Sequence, residues 1–306
     1  MMRVAVTGGT GFVGRALVKA LLERGDEVWI ISRKETSSSP SANARLHQVS
    51  WNELAAAPDK LEGANVIVNL AGESINQRWT AASKQRVLHS RTDGAARIAR
   101  LVEQLDQKPE AVINASGISA YGSSLTATFD EDSPLKVTDF LSSVVEHWEK
   151  AADTIPVERL VKLRVGVVLN RTGGAFPLMA LPHRLFAGGR LGSGSQWLSW
   201  IHLEDMVRLI LFCIDHPEIQ GPVNGSAPEP VTNDQFGQAL SKAFGRPHWL
   251  PAPAFLMKAV LGEMSSLLLE GQRALPRKAL EHGFTFKYPT IESAMKQLSR
   301  ANIEKS

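Results

Sequence analysis

Residues Thr7-Gly8-Gly9-Thr10-Gly11-Phe12-Val13-Gly14 decide how the rest of the chain is read. They follow an apolar run, Arg3-Val4-Ala5-Val6-Thr7, and precede a segment with Val13, Ala16, Leu17, Ala20 and Leu21 at helical spacing. The run reads as a buried strand and the segment as a helix over 12–24. A glycine-rich turn between strand and helix suits a dinucleotide. Gly8 permits the tight turn, Gly11 lets a pyrophosphate approach the backbone, and Gly14 lets helix and strand pack closely. Unpaired N–H groups and partial positive charge at the helix N-terminus then face the phosphates. The competing reading is a glycine turn without ligand; the strand-before and helix-after context favours the dinucleotide.

Working outward, short Val/Ile/Leu-rich runs over 27–32, 46–49, 66–70, 111–115 and 160–169 read as strands. Helical patterns over 81–105 and 140–152 alternate with them. This predicts an α/β fold, a Rossmann-like doubly wound parallel sheet covered by helices on both faces. After about residue 170 the pattern changes to Gly173-Gly174, Gly188-Gly189 and Gly192-Ser193-Gly194, then Pro247, Pro251 and Pro253 before an apolar helix over 254–261. The expected organisation is a nucleotide-binding domain over 1–170, with part of 195–226 returning to it. Residues 171–306 form mainly a smaller C-terminal α/β lobe on the substrate side.

The end of the second strand selects the dinucleotide. NAD sites place an acidic residue there to bond the ribose 2′-OH. This chain has Ser32-Arg33-Lys34, a hydroxyl and two cations that suit a 2′-phosphate through charge-assisted hydrogen bonds, so NADP(H) is expected. Glu35 lies past the strand end.

Composition narrows the remaining classes. A chain of 306 residues buries roughly 75% of its unfolded surface and needs no disulfide or structural metal. Cys213 stands alone, which excludes an intramolecular disulfide, and no metal-ligand spacing stands out. The net charge of +3 comes without basic clusters, so no nucleic-acid partner is expected. No apolar stretch approaches the roughly 20 residues of a membrane span, and no targeting segment precedes the first strand. The expectation is a cytoplasmic protein with a small-molecule substrate and no membrane partner.

The Gly8, Gly11, Gly14 spacing, with Asn69-Leu70-Ala71-Gly72-Glu73 and Ile201-His202-Leu203-Glu204-Asp205, resembles the extended short-chain dehydrogenase/reductase superfamily, the NAD-dependent epimerase/dehydratase group. Further stretches resemble a subgroup with a C-terminal domain of unknown function, some labelled cell-division-inhibitor homologues. They are Ala187-Gly188-Gly189-Arg190-Leu191-Gly192-Ser193-Gly194, Trp200-Ile201-His202, Gly221-Pro222-Val223-Asn224, Ala227-Pro228 and Leu269-Glu270-Gly271-Gln272. The likeness runs from Arg3 to about Ala294. It implies cofactor contacts at Gly8, Thr10, Gly11, Phe12 and Val13, at Ser32 and Arg33 for the adenosine phosphate, and at Leu70, Ala71 and Glu73 near the ribose. It also implies Arg91 as a further phosphate or ribose partner, Val168 at the nicotinamide, and a monomer or a homodimer built on the two long helices.

The superfamily's chemistry rests on a Tyr-x-x-x-Lys pair, in which Lys lowers the phenol pKa. Tyr121 and Tyr288 are the only tyrosines, followed four residues on by Leu125 and Glu292. The helix that should carry the pair reads Phe140-Leu141-Ser142-Ser143-Val144-Val145-Glu146-His147-Trp148-Glu149, apolar at those positions. Ser116 stands one residue early relative to the common pattern. The candidate catalytic groups are Ser116, as a substrate hydrogen-bond donor, and Tyr121, facing the cleft. His202 reads either as a substrate contact or as a histidine bonding local backbone. Trp197 and Trp200 read most simply as core, and Glu146, Glu149 and Lys150 as a charged helix face. Two functions follow: an NADP(H)-dependent oxidoreductase or nucleotide-sugar epimerase-like enzyme, or a sensor that binds NADP(H) without turnover.

Overall fold

The computed structural model describes residues 1–33 and 43–299. Lys34 and Glu35, both weighed above, lie outside them. The first half lays down β1 (Arg3–Thr7), α1 (Phe12–Arg24), β2 (Glu27–Ser32), β3 (Leu46–Ser50), α2 (Trp51–Ala56), β4 (Val66–Asn69), α3 (Ala81–Gln104) and β5 (Ala111–Gly117). A two-residue strand, β6 (Thr128–Phe129), precedes α4 (Phe140–Ala152) and β7 (Arg159–Val165). The remaining strands used below are β8 (Val167–Asn170), β9 (Gly173–Gly174), β10 (Trp197–Leu198), β11 (Trp200–His202) and β12 (Gly221–Gly225).

Seven strands form one parallel sheet in the order β12-β7-β5-β4-β1-β2-β3. Alternation along the strands divides the core into two layers. Val4, Val6, Val28 and Ile30 pack with Leu17 and Leu21 of α1, and with Leu209 and Ile210 of α6 (Leu203–Asp215). Ala5, Ile31, Ile67 and Val112 face the other way, onto Ile98, Leu101 and Val102 of α3. Burial on both faces is why these strands read as continuous apolar runs. The order reverses beside β1, and in such sheets ligands bind outside the carboxyl ends of the strands at that crevice.

The single strand expected over 160–169 is two strands. The chain leaves the main sheet at Gly166, whose N–H donates to Gly225 O at 3.0 Å, and Val167 then pairs toward Ser199 at 2.9 Å. A Cβ at Gly166 would sit 2.6 Å from Ser199 O, so only glycine allows the crossing. β8 joins the small sheet β11-β8-β9, around which α5 (Phe176–Arg184) and α7 (Asn233–Phe244) supply a separate core with Trp200 and Phe236. The helix over 254–261 forms as expected, and we name it α8 (Ala254–Leu261); it buries none of its side chains. No helix among the described residues is long and apolar enough to cross a membrane.

Candidate functional site

The phosphate end of the site is built from backbone. Gly8 has φ +68°, and a Cβ there would meet the Leu70 carbonyl at 2.8 Å. A Cβ at Gly14 would lie 2.1 Å from Gly8 O. The loop therefore closes against both the β4 loop and its own helix, and Gly11 N–H donates to Gly8 O at 2.8 Å. Gly11 occupies the N-cap of α1 and brings no side chain to it, and the first turn has no acidic residue. The leading N–H groups of α1 are thus left for an anion. Side chains on three neighbouring strand ends lock this edge. Thr7 Oγ1 donates to Asn69 Oδ1 at 2.5 Å, and Asn69 Nδ2 donates to Asn114 Oδ1 at 2.6 Å, all buried. Ala71 N–H adds a bond to Asn69 Oδ1 at 3.3 Å, which sets the start of the β4 loop.

Several expected contacts take other positions. The Phe12 ring lies against Gly173 and Gly174, where a Cβ at Gly173 would come within 2.6 Å of it. Val168 is turned into the main core. Arg91 is half-buried; its Nη1 donates to Glu73 O at 3.1 Å and to Val87 O at 2.9 Å, and its guanidinium stacks 5.1 Å from the Trp148 ring. Burial draws its pKa down to about 10, which leaves it charged at neutral pH. Arg91 therefore fastens the β4 loop to α3. Glu73 bonds Gln77 and Arg86, and these bonds, with the nearby charge of Arg33, hold its carboxyl below the ordinary range. Ser32 is half-buried and Arg33 exposed at the end of β2.

The reaction end is the reverse case, because its polar side chains are turned inward. Ser116 Oγ donates to Glu149 Oε1 at 2.7 Å. Arg164 grips Glu149 with two bonds, at 2.8 and 2.9 Å, and donates a third to the Tyr121 hydroxyl at 3.0 Å. Tyr121 in turn donates to Asn224 Oδ1 at 2.8 Å. Tyr121 is fully buried and stacks on Phe129, and burial pushes its phenol up to about 12. Asn224 Nδ2 donates to Leu275 O, which ties the network to the C-terminal lobe. Tyr121 does not face a cleft, and the Ser116 hydroxyl is already committed to Glu149; both expectations are corrected. Glu149 is no surface residue either, being 2% exposed. Its place four residues after Val145, on the buried stripe of α4, is the signal that was there to be read.

Gly117 stands at the strand end beside Ser116. A Cβ there would lie 3.0 Å from a Val145 methyl and 3.3 Å from Ser119 Oγ. Val145 thus covers apolar ground at this end, and the half-buried Ser119 hydroxyl makes no hydrogen bond to a described residue. The sequence reading passed over Ser119. A cavity of about 460 Å³ opens at the start of α4, between Trp79 and Phe140 on one side and Lys258, Glu263, Leu269 and Glu270 on the other. His202 is structural. Its Nδ1 accepts from Glu204 N–H, its Nε2 meets Gln297, and Tyr288 packs on its ring at 4.0 Å. Trp200 is core, and Trp197 donates to Leu125 O at 2.9 Å. No group of three or more metal-ligating side chains occurs among the described residues.

This arrangement can be set beside known proteins. The chain is 43% identical to epimerase family protein YfhF of Bacillus subtilis, over 97% of this chain and 98% of that one. It belongs to the NAD-dependent epimerase/dehydratase family. Residues 4–140 match the NAD dependent epimerase/dehydratase family, and residues 252–298 match a domain of unknown function, DUF1731. Among family members of known structure, human epimerase family protein SDR39U1 superposes with a TM-score of 0.89 at 39% identity, over 97% of this chain and 99% of that one. Its crystal structure is with NADPH. A nucleoside-diphosphate sugar epimerase from Corynebacterium glutamicum superposes at 0.76 with 31% identity, over 96% of this chain and 57% of that one. The family's sheet and glycine loop are those described above, and the buried Ser116–Glu149–Arg164–Tyr121 network occupies the end where its chemistry is expected.

Proposed function

We propose that this protein is an NADP(H)-dependent oxidoreductase or epimerase-like enzyme acting on a small molecule. The observation that carries the reading is the Gly8–Gly14 cradle: a turn whose glycines admit no Cβ, opening onto helix amides that nothing caps. The amides of Phe12, Val13 and Gly14 would hold the pyrophosphate. Ser32 and Arg33, with no described carboxylate beside them on β2, would hold the 2′-phosphate. The human relative with NADPH supports that choice. When bound, the nicotinamide supplies hydride transfer, and the protein supplies position and electrostatics. The buried Val145 would make that end apolar, and Ser119 would offer it a hydroxyl that no described residue engages. Tyr121, with its pKa near 12, is held protonated and does not act as base.

One observation favours a second reading, an NADP(H) sensor without turnover: the side chains that would move a proton are consumed in a closed network. Titration of NADPH and NADH, with a screen of sugar nucleotides and small carbonyl compounds followed by NADPH absorbance, separates the two. Turnover that Ser119→Ala reduces and Tyr121→Phe spares supports the enzyme described. Tight NADPH binding with no turnover on any compound supports the sensor.

A further inference from the structure

Two segments of the C-terminal half carry most of the large apolar side chains that the fold leaves in water. One is the end of α5 and the turn after it, with Leu185 at 67% and Phe186 at 53% exposure. The other runs from Trp249 at 66% into α8, with Phe255 at 70% and Val260 at 82%. They lie side by side: Trp249 and Leu250 donate their N–H groups to Gly188 O, and Ala252 donates to Arg190 O. A helix that is apolar all round is ordinarily buried, yet α8 buries nothing. Patches of this kind mark interaction surfaces.

The outward placement is built rather than incidental. Phe186 is the one non-glycine residue with positive φ among those described, at 62°. It is held there from both sides: the Arg246 guanidinium lies 4.2 Å from its ring centroid, and the Trp249 indole donates to its carbonyl at 2.9 Å.

The two segments themselves carry charge of one sign. No Asp or Glu occurs between Glu158 and Glu204, or between Asp234 and Glu263. Those intervals contribute Arg184, Arg190, Lys242, Arg246 and Lys258, all exposed. None of the five makes a salt bridge to a described residue. The flanking carboxylates are engaged, Asp234 with His248 and Glu263 with Lys84. An aromatic and aliphatic centre ringed by these five cations, with the carboxylates at its edge already engaged, matches a leaflet whose headgroups are anionic. A second copy would bring the same charges face to face and be repelled.

We propose that this face docks peripherally on a lipid bilayer bearing anionic headgroups. The expectation of no membrane partner followed from the lack of an apolar span, and peripheral docking needs none. It does not depend on the enzymatic assignment.

The test is flotation of the full-length protein with vesicles of phosphatidylcholine, with and without phosphatidylglycerol. Protein should float with the anionic vesicles, shift its Trp emission to the blue, and be released by salt. Arg246→Glu with Lys258→Glu should abolish flotation. Arg246→Ala alone should lower the partition coefficient about fivefold, the order expected for one cation near such a surface. Phe255→Ser with Val260→Ser should abolish the spectral shift, with NADPH affinity and melting temperature unchanged as the record of intact folding. Equal behaviour on both vesicle types overturns the proposal. So does a dimer that the Phe255→Ser, Val260→Ser variant dissociates, which would give the face to a second copy.

Discussion

The two ends of the nucleotide cleft are made of different material. At the phosphate end the working groups are peptide N–H, and side chains matter mainly by being absent, as at Gly8 and Gly14. At the reaction end the polar groups are side chains, and they face one another inside the protein. A backbone site is specified by local sequence, because a few glycines at fixed spacing force it. A side-chain site depends on which partners the fold brings from far along the chain. Ser116, Glu149 and Arg164 come from β5, α4 and β7. The difference also separates their roles: one end retains its ligand geometry, while the other has become a joint.

That contrast can be attacked first where the joint is strongest. Glu149→Ala leaves the Arg164 guanidinium buried and unpaired. It should cost about 3–5 kcal/mol of stability in chemical denaturation. NADPH affinity should fall no more than the loss of folded protein accounts for. Replacing both partners, as Glu149→Leu with Arg164→Met, should recover much of the loss. If Glu149→Ala left stability intact but abolished turnover, the network would be catalytic after all.

Gly14→Ala tests the other end. The added methyl meets backbone that cannot swing aside, so we expect a cost toward the upper end of the about 1–3 kcal/mol typical of overpacking. NADPH binding, measured by calorimetry, should be lost with it. Unchanged binding would mean that the glycines do not form the cradle.

The pH dependence of stability reads the joint more finely. Tyr121 is neutral when protonated, and burial raises its folded pKa from about 10 toward about 12. The unfolded chain therefore releases this proton first. The contribution is whole below pH 10 and is lost as pH rises toward 12. It amounts to about 3 kcal/mol. Tyr121→Phe should flatten that alkaline limb; a limb unchanged by the substitution would show the phenol to be open to solvent.

The smallest effect is at Arg33. It is exposed, so Arg33→Ala should weaken NADPH by about 1 kcal/mol and leave NADH unchanged. Equal loss for both cofactors would remove the 2′-phosphate assignment.

Much of the fold could be read from residues alone. The both-face burial of the strands and the glycine turn leave their marks in sequence, whereas the break at Gly166 sits inside one continuous Val/Leu-rich run and leaves none. The reaction end could not be read in the same way. Nothing near Ser116 announces Glu149 or Arg164, and a tyrosine two residues after Ser119 looks equally suited to a cleft or a core. The packing of Arg91 is hidden for a related reason. The carbonyls of Glu73 and Val87 and the face of Trp148 reach it only through folding. The exposed face of α8 lay in plain sight as an apolar run, but exposure is a property of packing that no local pattern encodes.

The strand β12 has one more implication. It arrives some fifty residues after the chain has left the main sheet, yet it closes that sheet beside β7, and its Asn224 receives the Tyr121 hydroxyl. The hairpin at Gly173-Gly174 likewise seats the Phe12 ring at the mouth of the first helix. The nucleotide-binding half is therefore not a portable unit. Cut out at residue 170, it would present a raw sheet edge and an uncovered aromatic, and would be prone to self-association. Grafting or shuffling this protein must carry both halves together.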